Sequence, residues 1–242
     1  MSKSVIFRHL INKNKCDKLN IKVLKGGDFM YRVIKRIIDC ILAIIILIIF
    51  AIPMLIIAIA IKFEDGGPII YKSKRVGKKL KKFNVYKFRS MKIEREELKS
   101  NLSHEQMVTK VGKFIRKTSL DELPQLFNIL KGEMSFIGPR PWIPEYYEWF
   151  TDEQKKRADV LPGISGLAQV KGRNGINIFR KIDYDLIYVH NISFKFDVKI
   201  VLETIKTVFS KADAEISEVG IKQEINELKV QKQNNKIYKE VG

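Results

Sequence analysis

The fold is decided by residues 114–141, FIRKTSLDELPQLFNILKGEMSFIGPRP. Apolar residues at i, i+3, i+4 and i+7 in its middle predict a short amphipathic helix. Ser119, with Glu122 three residues later, predicts a capping box at the start of this helix, and Gly132 predicts its end. Pro124 falls in the first turn, where it removes a backbone hydrogen bond, so we expect that turn to be distorted or tighter than α.

Two adjacent carboxylates, Asp121 and Glu122, stand in this first turn. Helix capping and pairing with the helix dipole would explain them, and a reactive acidic pair is the alternative. Arg140 follows between two prolines, which restrict the backbone on both sides of it. A rigid arginine near two carboxylates and a helix start suits a phosphate-bearing substrate.

The composition indicates an anionic partner. The 242 residues carry a formal net charge of +18, which implies nucleic acid, phospholipid headgroups or phosphorylated substrates. Nucleic acid is disfavoured as a partner because the aromatic residues cluster away from the lysine-rich stretch instead of interleaving with it. Residues 1–30 are polar and basic without the apolar core of a signal peptide, so we interpret them as a flexible cytosolic extension.

One strongly apolar run, residues 37–61, is long enough as a helix to cross a bilayer. However, residues 1–36 carry ten Lys and Arg and residues 62–99 carry thirteen, so the positive-inside rule places both flanks in the cytoplasm. A re-entrant helical hairpin bent at Pro53 satisfies both flanks. Asp39 lies near the start of the run, with Arg36 as a candidate partner one helical turn before it.

Four further segments have recognisable patterns. Residues 66–92 predict a turn and a small β-hairpin with a basic loop, and residues 142–160 begin with an aromatic cluster that fits either a core or an aromatic belt at the bilayer. Glycines between residues 162 and 175 form a loop whose N–H groups could approach an anion. Residues 198–209 are apolar at helical spacing and predict an amphipathic helix lying on the membrane or on the core.

Several of these motifs occur in the order that is typical of one family. RKTSLDELPQLFNILKGEMSFIGPRP, YKFRSM, the PGI-x-G-x-x-QV-x-GR stretch and the S-F-x-x-D-x-K-I run resemble the bacterial sugar transferases, over residues 31 to 209. These are monotopic polyprenyl-phosphate phosphoglycosyl transferases, which begin glycan assembly on a lipid carrier. The chain departs from the family in having Ile52 where a serine usually precedes Pro53, and Leu161 where an arginine often precedes the PGI motif.

The resemblance implies a reaction in two steps. A sugar-1-phosphate would pass from a UDP-sugar to undecaprenyl phosphate through a phosphosugar on Asp121, with release of UMP. Glu122 would be the second catalytic residue, which either positions the metal or handles the lipid phosphate. Mg²⁺ would be the cofactor, with Asp121 as its ligand. The resemblance also implies a set of substrate-binding residues. This set is Lys87, Arg116, Arg140, Arg173 and Asp197.

The resemblance likewise implies the architecture and the location. We expect a helix-rich α/β protein in the minimal form of the family. It would contain an extension (1–30), a re-entrant membrane helix (31–62), a catalytic domain with amphipathic interfacial helices (63–211) and a charged tail (212–242). It would lie in the inner, cytoplasmic membrane with its catalytic domain facing the cytoplasm, among inner-membrane lipids and alongside glycosyltransferases that act later. The alternative is a membrane-tethered basic scaffold that binds anionic lipid or nucleic acid and catalyses nothing.

Overall fold

A computed structural model describes the backbone of residues 26–92, 104–172, 176–209 and 218–241. The predicted N-terminal extension lies almost entirely outside these residues, as does Arg173. The helix-rich α/β prediction is confirmed, because the described residues form many helices and two small sheets of two strands each.

The helices are α1 (Gly26–Ile49), α2 (Ala51–Asp65), α3 (His104–Met107), α4 (Lys110–Lys117), α5 (Gln125–Lys131), α6 (Pro144–Trp149), α7 (Asp152–Lys155), α8 (Leu167–Gly172), α9 (Ile178–His190), α10 (Phe194–Phe209) and α11 (Glu218–Val241). The strands are β1 (Ile70–Val76), β2 (Lys82–Phe88), β3 (Ser135–Ile137) and β4 (Gly163–Ser165). Short 3₁₀ turns cover Lys78–Leu80, Leu120–Glu122 and Lys156–Asp159.

The apolar run forms two helices, α1 and α2, that meet at a sharp bend. Met30–Ile49 and Ala51–Asp65 are bent by 63° relative to each other, and of the helices described none is by itself long and apolar enough to cross a membrane. The ring of Pro53 would collide with the carbonyl of Ile49, four residues earlier, so α1 ends at that residue. The bend therefore lies at Phe50, before the proline at which the sequence placed it.

Both helices turn many large aliphatic side chains outward. The opposite faces are buried against the rest of the protein through Ala43 on α1 and through Ile57 and Ile61 on α2. The exposed aliphatic residues include Ile37, Ile41, Ile45, Ile48, Ile49, Ile52, Leu55, Ile56 and Ile59. A contiguous apolar surface of this size is typical of a membrane or partner contact.

Arg36 and Asp39 do not pair as the sequence suggested. The guanidinium of Arg36 donates to the backbone carbonyls of Ile129 and Leu130 at the end of α5. These are among the last carbonyls of α5, where a cation is favourable, and that of Ile129 also accepts from the N–H of Gly132. Arg36 therefore joins α1 to the helix that follows the acidic pair, while Asp39 is buried beside Ser135 of β3.

The predicted hairpin is confirmed. Strands β1 and β2 are antiparallel, with Tyr71 opposite Lys87. Gly66 ends α2 in the left-handed conformation, with φ +74°, which a glycine adopts without strain. The short strands β3 and β4 form a separate parallel pair in which Ser135 lies opposite Gly163.

Glycines allow the backbones around β3 and β4 to approach closely. A Cβ atom at Gly163 or Gly166 would collide with the backbone of Gly138. The N–H of Gly163 donates to the carbonyl of Pro139 at 3.0 Å. This glycine therefore fixes the turn that carries Arg140, and its N–H is already occupied by a protein acceptor.

The aromatic cluster after this turn belongs to the core. Tyr146 and Phe150 are buried, and Trp142 and Tyr147 pack against them with ring centroids 4.8–5.6 Å apart. Helix α11, to which the sequence assigned no role, covers this cluster with the fully buried Leu228. Core packing, rather than an aromatic belt, thus explains the cluster.

Helix α10 is amphipathic, as predicted, but it carries apolar residues on two faces. One face is buried against the core through Ile200. The other presents an exposed apolar stripe at helical spacing. The stripe consists of Phe194, Val198, Val201, Leu202 and Ile205.

Candidate functional site

The acidic pair lies in a tight turn whose geometry differs from the predicted capping box. Ser119 adopts the left-handed conformation, with φ +58°, and its side chain caps nothing. Leu120–Glu122 then form a 3₁₀ turn, and α5 begins only after Pro124. The capping-box prediction is wrong, whereas the expectation of a tighter first turn is confirmed, because the proline cannot donate the hydrogen bond that an α-turn needs.

Lys87 on β2 reaches both carboxylates from the neighbouring hairpin. Its Nζ atom lies 2.7 Å from Oε1 of Glu122 and 3.5 Å from Oδ2 of Asp121. The hairpin is held in place by Asn128 of α5, which accepts from the N–H of Tyr86 and donates to the carbonyl of Asn84. The structure therefore places Lys87 beside the acidic pair, and its role in binding substrate stays a prediction.

Arg140 approaches Glu122 from the proline-flanked turn. Its Nη2 atom donates to Oε1 of Glu122 at 2.9 Å, so that this one oxygen accepts from both Arg140 and Lys87. The guanidinium is partly exposed and the carboxylate is mostly buried. The turn thus aims a fixed cation at the site, as its two prolines predicted.

The surroundings shift the pKa values of the two carboxyl groups in opposite directions. Burial alone would raise the pKa of Glu122, but Arg140 and Lys87 outweigh it and lower that pKa from 4.5 to about 2. Burial raises the pKa of Asp121, Lys87 opposes this effect and the Glu122 carboxylate adds to it. Glu122 is consequently a fixed anion, and Asp121 is the more basic group of the two, which suits a nucleophile.

Arg116 lies close enough to influence this site. The charge of Arg116 lowers the pKa of Asp121, and its Nε atom donates to the hydroxyl of Ser90 at 2.8 Å, just beyond β2. Five of the residues predicted from the sequence are therefore brought together. They are Lys87, Arg116, Asp121, Glu122 and Arg140.

Asp197 belongs to a different cluster. It accepts hydrogen bonds from the hydroxyls of Tyr31 at 2.6 Å and Tyr188 at 2.9 Å, and it pairs with the ammonium group of Lys35. These contacts connect α10 and α9 to the start of α1. A direct role in substrate binding remains a prediction for Asp197, and Arg173 lies outside the described residues.

Arg157 is a residue that supports the site and that sequence reasoning did not assign to it. Its guanidinium is 2 % exposed and donates to the carboxylate of Asp185, to the hydroxyl of Tyr147 and to the backbone carbonyl of Arg140 at 2.7 Å. It also lies over the ring of Trp142, 4.1 Å from the centroid. Arg157 therefore holds the backbone of the turn that presents Arg140.

A hard cation could be held here only together with substrate. In the described parts of the chain, no group of three or more His, Cys, Asp or Glu side chains could hold a metal ion. Glu122 is occupied by two cations, which leaves Asp121 as the available carboxylate. One carboxylate with diphosphate oxygens and water is a donor set that Mg²⁺ accepts, so these residues fit the predicted cofactor.

The chain is similar to a known family of proteins and to several individual members of it. The family described as bacterial sugar transferase matches residues 30–211. The chain is 41% identical over 176 residues to the uncharacterized sugar transferase EpsL of Bacillus subtilis, covering 73% of this chain and 87% of that protein. It is 40% identical over 200 residues to the undecaprenyl-phosphate galactose phosphotransferase of Salmonella typhimurium, covering 76% of this chain and 42% of that protein.

A third relative is the UDP-glucose:undecaprenyl-phosphate glucose-1-phosphate transferase of Klebsiella pneumoniae, 41% identical over 183 residues, which are 72% of this chain and 39% of that protein. The chain thus spans less than half the length of two of these relatives. The family match covers well over half of the chain and includes the acidic pair, Lys87 and Arg140. This chain belongs to the bacterial sugar transferase family.

Proposed function

We propose that this protein transfers a sugar-1-phosphate from a UDP-sugar to undecaprenyl phosphate. The relatives from Salmonella and Klebsiella carry names for reactions of this kind, on galactose and on glucose respectively. These names differ in the sugar, so they support the class of reaction and leave the sugar open. The observation that carries the proposal is the pairing of Asp121 and Glu122 with Lys87 and Arg140.

In the first step, a carboxylate oxygen of Asp121 attacks the phosphorus that bears the sugar. The new O–P bond forms as the bond to the UMP oxygen breaks, and UMP leaves with that electron pair. The product is a phosphosugar ester on Asp121. In the second step, an oxygen of undecaprenyl phosphate attacks the same phosphorus, and the Asp121 carboxylate is released.

The neighbouring charges make the first step feasible. An anionic nucleophile is repelled by an anionic diphosphate, and phosphoryl transfer depends mainly on positioning and charge neutralisation. Lys87 and Arg140 supply two fixed cations at this point, and the ionised Glu122 keeps both in place. The raised pKa of Asp121, which follows chiefly from its burial, gives its ionised form greater basicity than an exposed carboxylate has.

Mg²⁺ would be held by Asp121 together with oxygens of the diphosphate. When bound, it would neutralise further negative charge on the substrate. The remaining roles belong to side chains of the protein. Arg140 and Lys87 bind phosphate oxygens, and Arg157 maintains the position of Arg140.

The competing function is a basic scaffold that tethers anionic lipid and catalyses nothing. It would account for the net charge of +18 and for the apolar surface of α1 and α2. It does not require one carboxylate that is stabilised as an anion beside another whose pKa is raised. Perturbed titratable groups of this kind concentrate at functional sites, which favours the enzyme.

The test is release of UMP by the purified full-length protein in detergent or nanodiscs. It is measured with a panel of UDP-sugars in the presence of undecaprenyl phosphate, and intact-mass spectrometry without the lipid reports the covalent phosphosugar. Asp121→Asn should abolish both signals, because an amide is a poor nucleophile. Asp152→Asn, an exposed surface control, should retain both. Near-normal turnover in Asp121→Asn would contradict the mechanism.

We also propose that α1 and α2 enter the cytoplasmic membrane and return to the cytoplasmic side. The bend of 63° and the exposed aliphatic surface support this topology, and so does the basic charge of both flanks. The exposed stripe of α10 would lie in the membrane interface, because an amphipathic helix buries its apolar face there.

This topology is tested with single cysteines at Asp28 and Ser73 in a background without Cys16 and Cys40. Both should resist an impermeant thiol reagent in intact cells and react after the cells are opened. Labelling at position 28 from outside would instead establish a helix that spans the membrane. Pro53→Ala should alter activity, because it removes the steric cause of the bend.

A further inference from the structure

A second basic site lies away from the acidic pair, between the start of α1 and the turn of the hairpin. It is a cleft of about 400 Å³ lined by Arg32, Val33, Arg36, Ile37 and Lys78. Its lining therefore combines three cationic side chains with two exposed aliphatic ones. The cleft opens beside the surface that α1 presents to the proposed membrane.

Two of the cations in this cleft have no protein partner among the described side chains. Arg36 is occupied by the carbonyls of α5, whereas Arg32 and Lys78 make no ion pair or side-chain hydrogen bond within that part of the chain. The Nε atom of Arg32 is buried without a partner. Buried polar groups are normally satisfied, so an unpaired guanidinium nitrogen indicates a missing acceptor.

The other charged residues near the cleft, Lys35 and Asp39, interact with groups of the protein. A neighbouring cavity shares Arg32 and Lys78 with the cleft and is also lined by Lys35 and Asp39. Lys35 pairs with Asp197, and Asp39 interacts with Lys35, Ser135 and the backbone of Phe136. Oδ2 of Asp39 is buried without a partner. Asp39 forms no ion pair with Arg32, so the outer part of the cleft remains positively charged.

The hairpin turn that places Lys78 is strained. Lys79 and Leu80 have φ values of +56° and +60°, as in a type I′ turn, where glycine or asparagine is normally found. The N–H of Lys81 closes this turn onto the carbonyl of Lys78. Partial burial, then Arg32 and Lys79, lower the pKa of Lys78. Strained backbone of this kind is concentrated at binding and catalytic sites.

We propose that this cleft binds the phosphate of a membrane lipid between Arg32 and Lys78, with the hydrocarbon chain along Val33 and Ile37. A guanidinium fork matches phosphate oxygens, and a lysine adds a point charge. The two aliphatic residues are 47% and 54% exposed beside these cations, which favours a phosphate that carries a lipid tail over free phosphate. The residues of this cleft do not include the acidic pair, and binding there is measured without the transfer reaction proposed above.

The test is native mass spectrometry of the full-length protein in detergent. It is titrated separately with phosphatidylglycerol, phosphatidylcholine of the same chains and undecaprenyl phosphate, and calorimetry measures inorganic phosphate. The test variant is Arg32→Gln/Lys78→Gln, with Lys78→Gln alone as a milder change at an exposed residue. The matched control is Lys72→Gln/Lys74→Gln, which removes the same charge from exposed positions on β1. Melting temperatures verify that each variant is folded.

Wild type should bind at least one of the two anionic lipids more tightly than phosphatidylcholine, and the stronger of the two shows which anionic lipid the site prefers. The Arg32/Lys78 variant should lose about tenfold or more in affinity, because charge-assisted hydrogen bonds to phosphate are removed, with a smaller loss in Lys78→Gln. The control should stay within about twofold, because the detergent presents no anionic membrane surface, whose attraction would be about 1 kcal/mol per lysine. Equal losses in both double variants would overturn the site. Inorganic phosphate binding as tightly as lipid would overturn its assignment to a lipid.

Discussion

Replacing Arg140 with alanine is the sharpest test of the proposed phosphate site. In the native protein its Nη2 atom lies 2.9 Å from Glu122, and Arg157 fixes its backbone carbonyl. Alanine leaves that carbonyl and the turn in place and removes only the guanidinium. The variant should therefore fold normally while losing one of the two cations that face the substrate.

The expected loss of activity can be estimated from the pKa of Glu122. Its pKa falls from 4.5 to about 2, which corresponds to roughly 3 kcal/mol at about 1.36 kcal/mol per pH unit. Arg140 and Lys87 supply at least this much together, because they also overcome the opposing effect of burial. The same two cations would act on a phosphate of higher charge, and loss of one preorganised donor typically costs about 10²–10³ in kcat. We expect kcat/KM to fall by roughly this factor.

The assay is steady-state UMP release with varied UDP-sugar at saturating undecaprenyl phosphate. Arg140→Lys should be intermediate, because it keeps the charge and loses the planar fork. Arg180→Ala is the matched control, since Arg180 is exposed and its side chain stacks on Tyr184. A kcat/KM of Arg140→Ala within about threefold of wild type would show that Arg140 does not face the reacting phosphate, because loss of a preorganised donor there should cost far more.

Three other outcomes follow from the same contacts. Activity should be lost as pH falls through the raised pKa of Asp121. Glu122→Gln should move this loss of kcat to lower pH, because it removes a negative charge that raises the pKa of Asp121. A shift of the loss to higher pH would contradict the role of Asp121 as the nucleophile. Asp185→Asn should lower the free energy of unfolding by about 3–5 kcal/mol, measured by thermal unfolding, because it leaves the buried Arg157 without a counter-charge. The double variant Arg157→Met/Asp185→Leu should recover part of that loss. A double variant less stable than Asp185→Asn would refute this explanation of the pair. Chelation with EDTA should abolish UMP release and Mg²⁺ should restore it, whereas full activity in excess chelator would remove the metal from the mechanism.

Local sequence patterns predicted the elements more reliably than their ends. Local patterns correctly predicted the hairpin, the end of α5 at Gly132 and the distorted turn before Pro124. Each of these depends on residues within a few positions of one another. The capping box failed at Ser119, since the left-handed backbone there turns its side chain away from that role. The predicted partner of Asp39 also failed, because Arg36 satisfies helix carbonyls that are 93 and 94 residues away.

The sequence by itself determined the apolar run, the basic flanks and the motif that shows the family, because these are properties of composition and order. Only the tertiary structure decided which side chains meet. Lys87 reaches the acidic pair across 34 and 35 residues, and Arg157 reaches Asp185 across 28. Such contacts depend on how a hairpin, a turn and two helices pack together, and a buried charge such as Arg157 is stable only where that packing supplies its partners.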